Sequence, residues 1–285
     1  MTPLTPDLIG IHTSMPAEQY HAFNGASASR LMKLWRSTPA HLKLALDEPF
    51  EPTPAMMIGT LGHALVLEPE KPLPRLRVLP EKYRNDDGEL KPWSGNAKAC
   101  KNIIAEAKSD GFIPIKQDDY DNAHAAAAAL AKHSLIAPVL KDCETELTLI
   151  TRDETNDVYV RCRFDVVPNG DFLADCKFTG QLDDQWPKHA YNSGYHIQAG
   201  FNLLVWNACC GADTPKTGFK FLVVENKPPF DVRVFTCTPE FIEAGRVEAI
   251  RLLKVYAACE RTGIWPGSPA VESECGLPGW VNRKE

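Results

Sequence analysis

The chain has 285 residues, 44% hydrophobic and 24% charged, enough to bury a full core as one domain with a decorated N-terminus, and no apolar run approaches the roughly 18 residues of a membrane span. A formal net charge of -6 argues against a broadly basic, DNA-coating surface while leaving room for a local positive groove. Nine cysteines without a CxxC pair imply neither a disulfide framework nor an iron-sulfur cluster, and the opening MTPLTPDLIG does not read as a secretory signal, so a soluble protein of the cytoplasm is expected.

In chain order, SASRLMKLWRSTPAHLKLAL carries apolar residues at helical spacing, with Thr38 and Pro39 as an N-cap and first-turn start, and predicts two short helices. Residues 51 to 58 are Pro-rich and read as a loop, after which IGTLGHALVLEP predicts a helix ended by Pro69, with His63 in its middle. From Glu70 to Ser94 the density of Pro, Lys and Asp predicts an irregular excursion. Helices are predicted over 96 to 109 and 118 to 134, the second built on the run AAAAALA, which suits close packing.

Alternating and β-branched runs then predict strands over 143 to 152, 158 to 167 and 172 to 178, an antiparallel meander punctuated by ETND and PNG. One helix is predicted over 185 to 210, two further strands over 216 to 225 and 232 to 237, and a long helix from Pro239 capped by Thr238. The last twenty or so residues, rich in Pro and Gly, read as irregular.

The chemistry lies in the hairpin formed by YVRCRFDVV and FLADCKF. A register with Asp165 opposite Asp175 pairs Phe164 with Cys176, Val166 with Ala174 and Cys162 with Phe178 on one face. The other face then collects Arg161, Arg163, Asp165, Asp175 and Lys177, with Asn169, Gly170 and Asp171 as the loop. Facing carboxylates repel, and a divalent cation converts that repulsion into attraction. Oxygen ligands favour Mg²⁺ or Mn²⁺, whose bound water can attack a phosphodiester. Lys177 points the same way as Asp175 and would orient or deprotonate that water, or neutralise charge on the phosphate.

These residues, FDVVPNGDFLADCKFTG followed by YHIQAG, resemble the PD-(D/E)XK nuclease superfamily and, within it, the exonuclease VIII (RecE) group related to lambda exonuclease and RecB-type nucleases. The opening helices and the GxxxHxxxLEP-type element around His63 are similar to that group as well, so the likeness spans roughly residues 25 to 210. It implies an α/β fold, a restriction-endonuclease-like core whose central mixed sheet, chiefly from residues 143 to 237, is flanked by helices and preceded by an N-terminal helical extension. The whole chain, 1–285, is then one nuclease domain: residues 1–95 a helical and loop region contributing His63, 96–265 the nuclease core, and 266–285 an irregular tail.

The resemblance implies that His63, Asp165 and Asp175 hold Mg²⁺, with Mn²⁺ as a substitute, that the backbone carbonyl of Cys176 assists, and that Lys177 is the catalytic lysine. Gln198 matches the glutamine such enzymes set beside the active site, and Tyr195, three residues earlier on the same helical face, would join it on phosphate or a terminal nucleotide. Asn202 stands where many relatives carry a tyrosine. An auxiliary acid is expected on the strand before the hairpin, from Glu144 or Glu146, with Glu146 chosen. Arg161 and Arg163 are candidates for phosphate binding. Trp186, Trp206 and Trp265 are candidates for stacking on bases or for packing, whereas His189 and His196 lack a supporting ligand spacing.

The implied activity is hydrolysis of linear double-stranded DNA from a 5′ end, exposing 3′ single strands for recombination in a bacterial or phage setting. The implied partners are DNA ends and a single-strand annealing protein, with a ring-like homo-oligomer and no membrane. Alternative readings are a RecB-like end-processing or single-strand nuclease, and a non-catalytic DNA-end-binding module.

Overall fold

The computed structural model describes residues 1–48, 53–272 and 274–276. The N-terminal part supplies strand β1 (Gly10–His12) and helices α1 (Ala17–Ala22), α2 (Ala28–Arg36), α3 (Pro39–Asp47) and α4 (Pro54–Leu67). Strands β2 (Leu76–Leu79), β3 (Lys82–Arg84) and β4 (Leu90–Pro92), helix α5 (Lys98–Ser109), strand β5 (Ile113–Lys116) and helices α6 (Gln117–Lys132) and α7 (Ala137–Lys141) follow. The remainder runs β6 (Cys143–Asp153), β7 (Val158–Pro168), β8 (Phe172–Thr179), α8 (Trp186–Asn192), α9 (Tyr195–Cys210), β9 (Gly218–Glu225), β10 (Val232–Thr236) and α10 (Pro239–Thr262).

Three helices start on the same Thr-Pro pair. Thr38, Thr53 and Thr238 accept hydrogen bonds from the backbone N–H groups of His41, Met56 and Phe241 at 3.5, 3.3 and 3.3 Å. Pro39, Pro54 and Pro239 occupy the first turn, where a missing N–H costs nothing. Residues 51 to 58, expected as a loop, therefore become helix from Pro54 onward, while 51 and 52 lie outside the described residues. The excursion expected over 70 to 94 contains three short strands: β2 pairs in parallel with β5, and β3 pairs antiparallel with β4. The helix expected over 185 to 210 is two helices, broken at Ser193 and Gly194. The tail has no helix or strand among its described residues, and 273 and 277–285 lie outside them.

The six-stranded sheet has the order β1-β6-β7-β8-β9-β10. Its neighbours are antiparallel except β8 and β9, which run parallel because α8 and α9 carry the chain back across the sheet. One apolar cluster joins strand residues such as Phe164, Leu173, Phe219 and Phe221 to α2, α3, α9 and α10. A second joins Val166, Ala174, Cys176, Leu222 and Val224 to α4 and α6. The alanines of α6 serve close packing, as expected, with Ala123, Ala126 and Ala127 buried beside α4. Helices α9 and α10 approach closer still, since a Cβ on Gly245 would lie 1.7 Å from the His196 carbonyl oxygen. This is the mixed sheet flanked by helices, with an N-terminal helical extension, that the family resemblance implies. Among the described residues no helix is long and apolar enough to cross a membrane.

Candidate metal centre and active site

Three neighbouring strands each place one acid in a single row. Thr145 pairs with Val166 and Leu147 with Phe164 across β6 and β7, which sets Glu146 opposite Asp165. Val166 pairs with Ala174 across β7 and β8, the expected register that sets Asp165 opposite Asp175. Position 144, the other candidate acid, pairs with Val167 and is exposed, outside the cluster described below.

The ladder breaks where the acids stand. Glu146 has φ +52°, a left-handed backbone that a non-glycine residue adopts at a cost of about 1–3 kcal/mol, typically where a site over-determines it. On the other side, Asp165 Oδ2 accepts the Cys176 N–H at 2.9 Å, in place of a ladder carbonyl. The strands consequently part beyond Val166 and Ala174. The expected single apolar face is corrected accordingly: Phe164 and Cys162 pack in the cluster below α9 and α10, and Cys176 packs in the opposite one, against α4 and α6.

His63 reaches this gap from α4 because the helix lies against β8. A Cβ on Gly62 would come within 2.4 Å of the Phe178 ring, so any larger residue would have to displace that ring to keep the approach. The His63 Nε2–H donates to the Cys176 carbonyl at 3.1 Å, and Nδ1 lies 3.5 Å from Asp165 Oδ2 and 3.8 Å from Glu146 Oε1. One ligand atom each from His63, Glu146 and Asp165 lie within 4.8 Å of one another, the sole such group among the described residues. The Cys176 carbonyl thus faces the far nitrogen of the imidazole and orients the ring, the usual arrangement around a metal-binding histidine.

Asp175 is turned to other partners. Its carboxylate, 3% exposed for the residue as a whole, is ion-paired with the Lys177 ammonium and accepts from Gln198 Nε2. Lys177 Nζ donates to Gln198 Oε1 at 3.0 Å and sits 4.7 Å from the centre of the Tyr195 ring. Tyr195 and Gln198 share the first turn of α9, as their spacing predicts.

Burial works against the Glu146 carboxylate, yet contacts with His63 and Arg163 hold it below the usual carboxylate range. Burial first, then repulsion from Asp175, push the Asp165 carboxyl from 3.8 up to about 7, against the pull of His63. Burial lowers His63, but the charges of Asp165 and Glu146 outweigh it and raise the imidazole to about 9. Burial likewise opposes the Lys177 ammonium, and the Asp175 charge reverses that and raises it. Glu146 has a guanidinium and Asp175 an ammonium, whereas Asp165 faces only a histidine that must itself hold a proton. A donor set of one imidazole and two carboxylates around that acid fits a divalent cation.

Several expected contributors lie elsewhere. Arg161 is 4% exposed, donates to the Tyr20 carbonyl at 2.9 Å and stacks 4.4 Å above the Tyr20 ring, so α1 covers it and no phosphate reaches it. Arg163 contacts the Glu146 carboxylate and donates to Met15 O at 2.8 Å and Thr148 Oγ1 at 3.2 Å. It orients an acid and is not aimed at a phosphate. Trp186 and Trp206 are buried, Trp186 stacked on Phe235, and Trp265 packs on Tyr256, so none offers a face to a base. His196 is buried among Trp35, Tyr191 and Phe241, His189 lies near the Ser193 hydroxyl, and neither joins a ligand group. Asn202 is buried within α9. Glu68, 3.8 Å from Arg163, links the LEP segment to Glu146 through that guanidinium. The sequence reading passed over Glu68, although its place five residues after His63 was a usable signal.

The fold is similar to that of a protein from Eubacterium rectale named provisionally as an exonuclease, with a TM-score of 0.57 and 12% identity over 95% of this chain and 94% of that one. An alkaline exonuclease from Laribacter hongkongensis aligns over 60% of this chain and 87% of its own at 13% identity, with a TM-score of 0.26. No curated protein matches. At 12% identity the first likeness shows fold alone. Residues 27–276 match the family model described as "PDDEXK-like domain of unknown function (DUF3799)", and the chain belongs to that family.

Proposed function

We propose that this protein is a metal-dependent exodeoxyribonuclease that hydrolyses phosphodiester bonds of linear double-stranded DNA, 5′ to 3′, leaving 3′ single strands for recombination. The observation that carries the reading is the His63, Glu146 and Asp165 cluster beside the Lys177, Asp175 and Gln198 network. His63, Glu146 and Asp165 would hold the cation, with Asp175 on the opposite side of Asp165. A divalent ion bound there supplies Lewis acidity toward a phosphoryl oxygen and acidifies a bound water.

The chain's own residues do the rest. Lys177 keeps its proton at neutral pH, because its ammonium is raised by the Asp175 charge. It therefore donates to the attacking water or to charge growing on the phosphate and does not serve as the base. Gln198 accepts from Lys177 and donates to Asp175, which fixes both side chains before substrate arrives. Tyr195 lies beneath the ammonium and helps to hold it in place.

The resemblance to the RecE group also suggests a ring-like homo-oligomer and an annealing partner. The deciding experiment incubates purified protein with duplex labelled at its 5′ or 3′ ends, with Mg²⁺, Mn²⁺ or EDTA. Metal-dependent release of nucleotides from the 5′ end supports the proposal. Cleavage confined to single strands would move the chain to an end-processing nuclease, and metal-independent binding without cleavage would reduce it to a binding module.

A further inference from the structure

A groove of about 630 Å³ lies between α2, α3 and the start of α9. Tyr195 lines it, and the same ring lies 4.7 Å from Lys177 Nζ, so the groove opens beside the candidate centre. Lys33, Arg36 and His41 also line it, against one acid, Glu48. Lys33 and Arg36 are exposed. Arg36 donates to the Asn192 carbonyl at 2.8 Å, and among the described residues neither Lys33 nor Arg36 pairs with a carboxylate. Most other cations near the centre are neutralised: Lys177 by Asp175, Arg163 by Glu146, Lys71 by Glu68. On a chain of net charge -6, unpaired cations beside a catalytic cleft mark a place for an anion.

We infer that this groove binds the sugar-phosphate backbone of a single DNA strand running to or from the metal centre. The inference rests on the nuclease reading and deepens it by naming the form of substrate held outside the reacting bond. α2 and α3 have nine residues each, roughly 13 Å of helix apiece at about 1.5 Å per residue. That length spans a few nucleotides of one strand. The groove combines a cationic track with a tyrosine at one end, and Leu44 adds apolar surface. The duplex would have to be parted before its scissile strand reached Lys177, and the α2–α3 groove holds the parted strand.

The test measures binding of a fluorescent oligothymidylate in EDTA, where no cleavage occurs, against salt concentration, for wild type, Lys33→Ala/Arg36→Ala, and a control, Lys132→Ala/Lys141→Ala, that removes two cations outside the groove. Two lost phosphate contacts should flatten the slope of log K against log salt by about 1.4, at roughly 0.7 per contact for a single strand. The groove variant should bind at least tenfold more weakly at low salt, while the control stays within twofold. A groove variant that binds like wild type, or like the control, overturns the inference even if the wild type degrades DNA with Mg²⁺. Equal losses for oligothymidylate and for a blunt duplex overturn the single-strand assignment. A wild type that neither binds nor cleaves DNA sinks the nuclease reading and this one together, so the two failures are distinguishable. Thermal melts of both variants matching wild type establish that the folds compared are the same.

Discussion

Replacing Asp165 by Asn should stabilise the metal-free protein while removing its response to Mg²⁺. The Asp165 carboxyl is raised from 3.8 to about 7, first by burial and then by Asp175. A carboxyl whose folded pKa exceeds its unfolded value stabilises the fold fully below about 3.8, and that stabilisation is lost as pH rises through about 7. At pH 8 the loss is complete. Three pKa units correspond to roughly 4 kcal/mol, at about 1.4 per unit, a ceiling because an amide is not identical to a protonated acid. The amide oxygen of the substituted side chain can still accept the Cys176 N–H, so an increase of about 2 kcal/mol is expected. For a chain of 285 residues that is a rise in Tm of roughly 3 °C, at about 2.1 cal/mol/K of unfolding entropy per residue. The assay is thermal unfolding in EDTA at pH 8 and again at pH 5, followed by Mg²⁺ titration. The gain should shrink at pH 5, and only the wild type should be stabilised by the metal, by about 2.7 kcal/mol at a hundredfold excess over Kd. An Asp165→Asn variant less stable than wild type in EDTA at pH 8, or one that Mg²⁺ stabilises equally, would refute the placement of the ion at Asp165.

Lys177→Ala should lower cleavage by roughly 10²–10⁴-fold, the usual range for a proton-handling group, and should cost about 3–5 kcal/mol by stranding the buried Asp175 charge. Adding Asp175→Asn to that variant should restore most of the stability and none of the activity, which a double-mutant cycle of unfolding and rate measurements checks. Gly62→Ala should weaken Mg²⁺ binding in calorimetry and cost about 1–3 kcal/mol, because its Cβ would meet the Phe178 ring at 2.4 Å. Phe178→Leu in the same chain should recover part of both. Mg²⁺ affinity should rise with pH between about 7 and 9, since protons on Asp165 and His63, at about 7 and about 9, compete with the ion. A flat calorimetric profile across that window would exclude both residues as ligands.

Most of the sheet was legible because its strands are long and strongly patterned. β6 and β7 run 11 residues each, and period-two alternation over such lengths is hard to mistake. The short strands were not legible. β1 and β3 have three residues apiece and β2 four, too few for a pattern, and their pairing partners settle them. The Thr-Pro starts of α3 and α10 were readable from local chemistry alone, as both proline and the hydroxyl act within three residues. The same pair at Thr53 was overlooked because the Pro-rich neighbourhood outweighed it. The break at Ser193 and Gly194 escaped notice because the apolar pattern continues across it, while Gly194 takes φ +79°.

The centre divides between what one hairpin encodes and what distant segments add. Asp165, Asp175 and Lys177 sit within 13 positions of one another, so spacing and register could place them together. Their roles depend on charges that register cannot supply. Arg163 takes Glu146 and touches Glu68, and Met15 accepts from the same guanidinium, so a segment over a hundred residues upstream fixes which acid is neutralised. Arg161, two positions away on the same strand, meets Tyr20 and is buried. Two arginines that alternation treats as equals thus end in unrelated surroundings. Asp165 is the acid of the row without a guanidinium or ammonium of its own: it lies between two carboxylates that each have one, in a gap opened by its bond to the Cys176 N–H. An acid row across an unbroken ladder would be a solvated stripe. Broken at Glu146 and Asp165, and approached by α4 through Gly62, it becomes a half-buried cluster in which a divalent cation would gain more than it would in water.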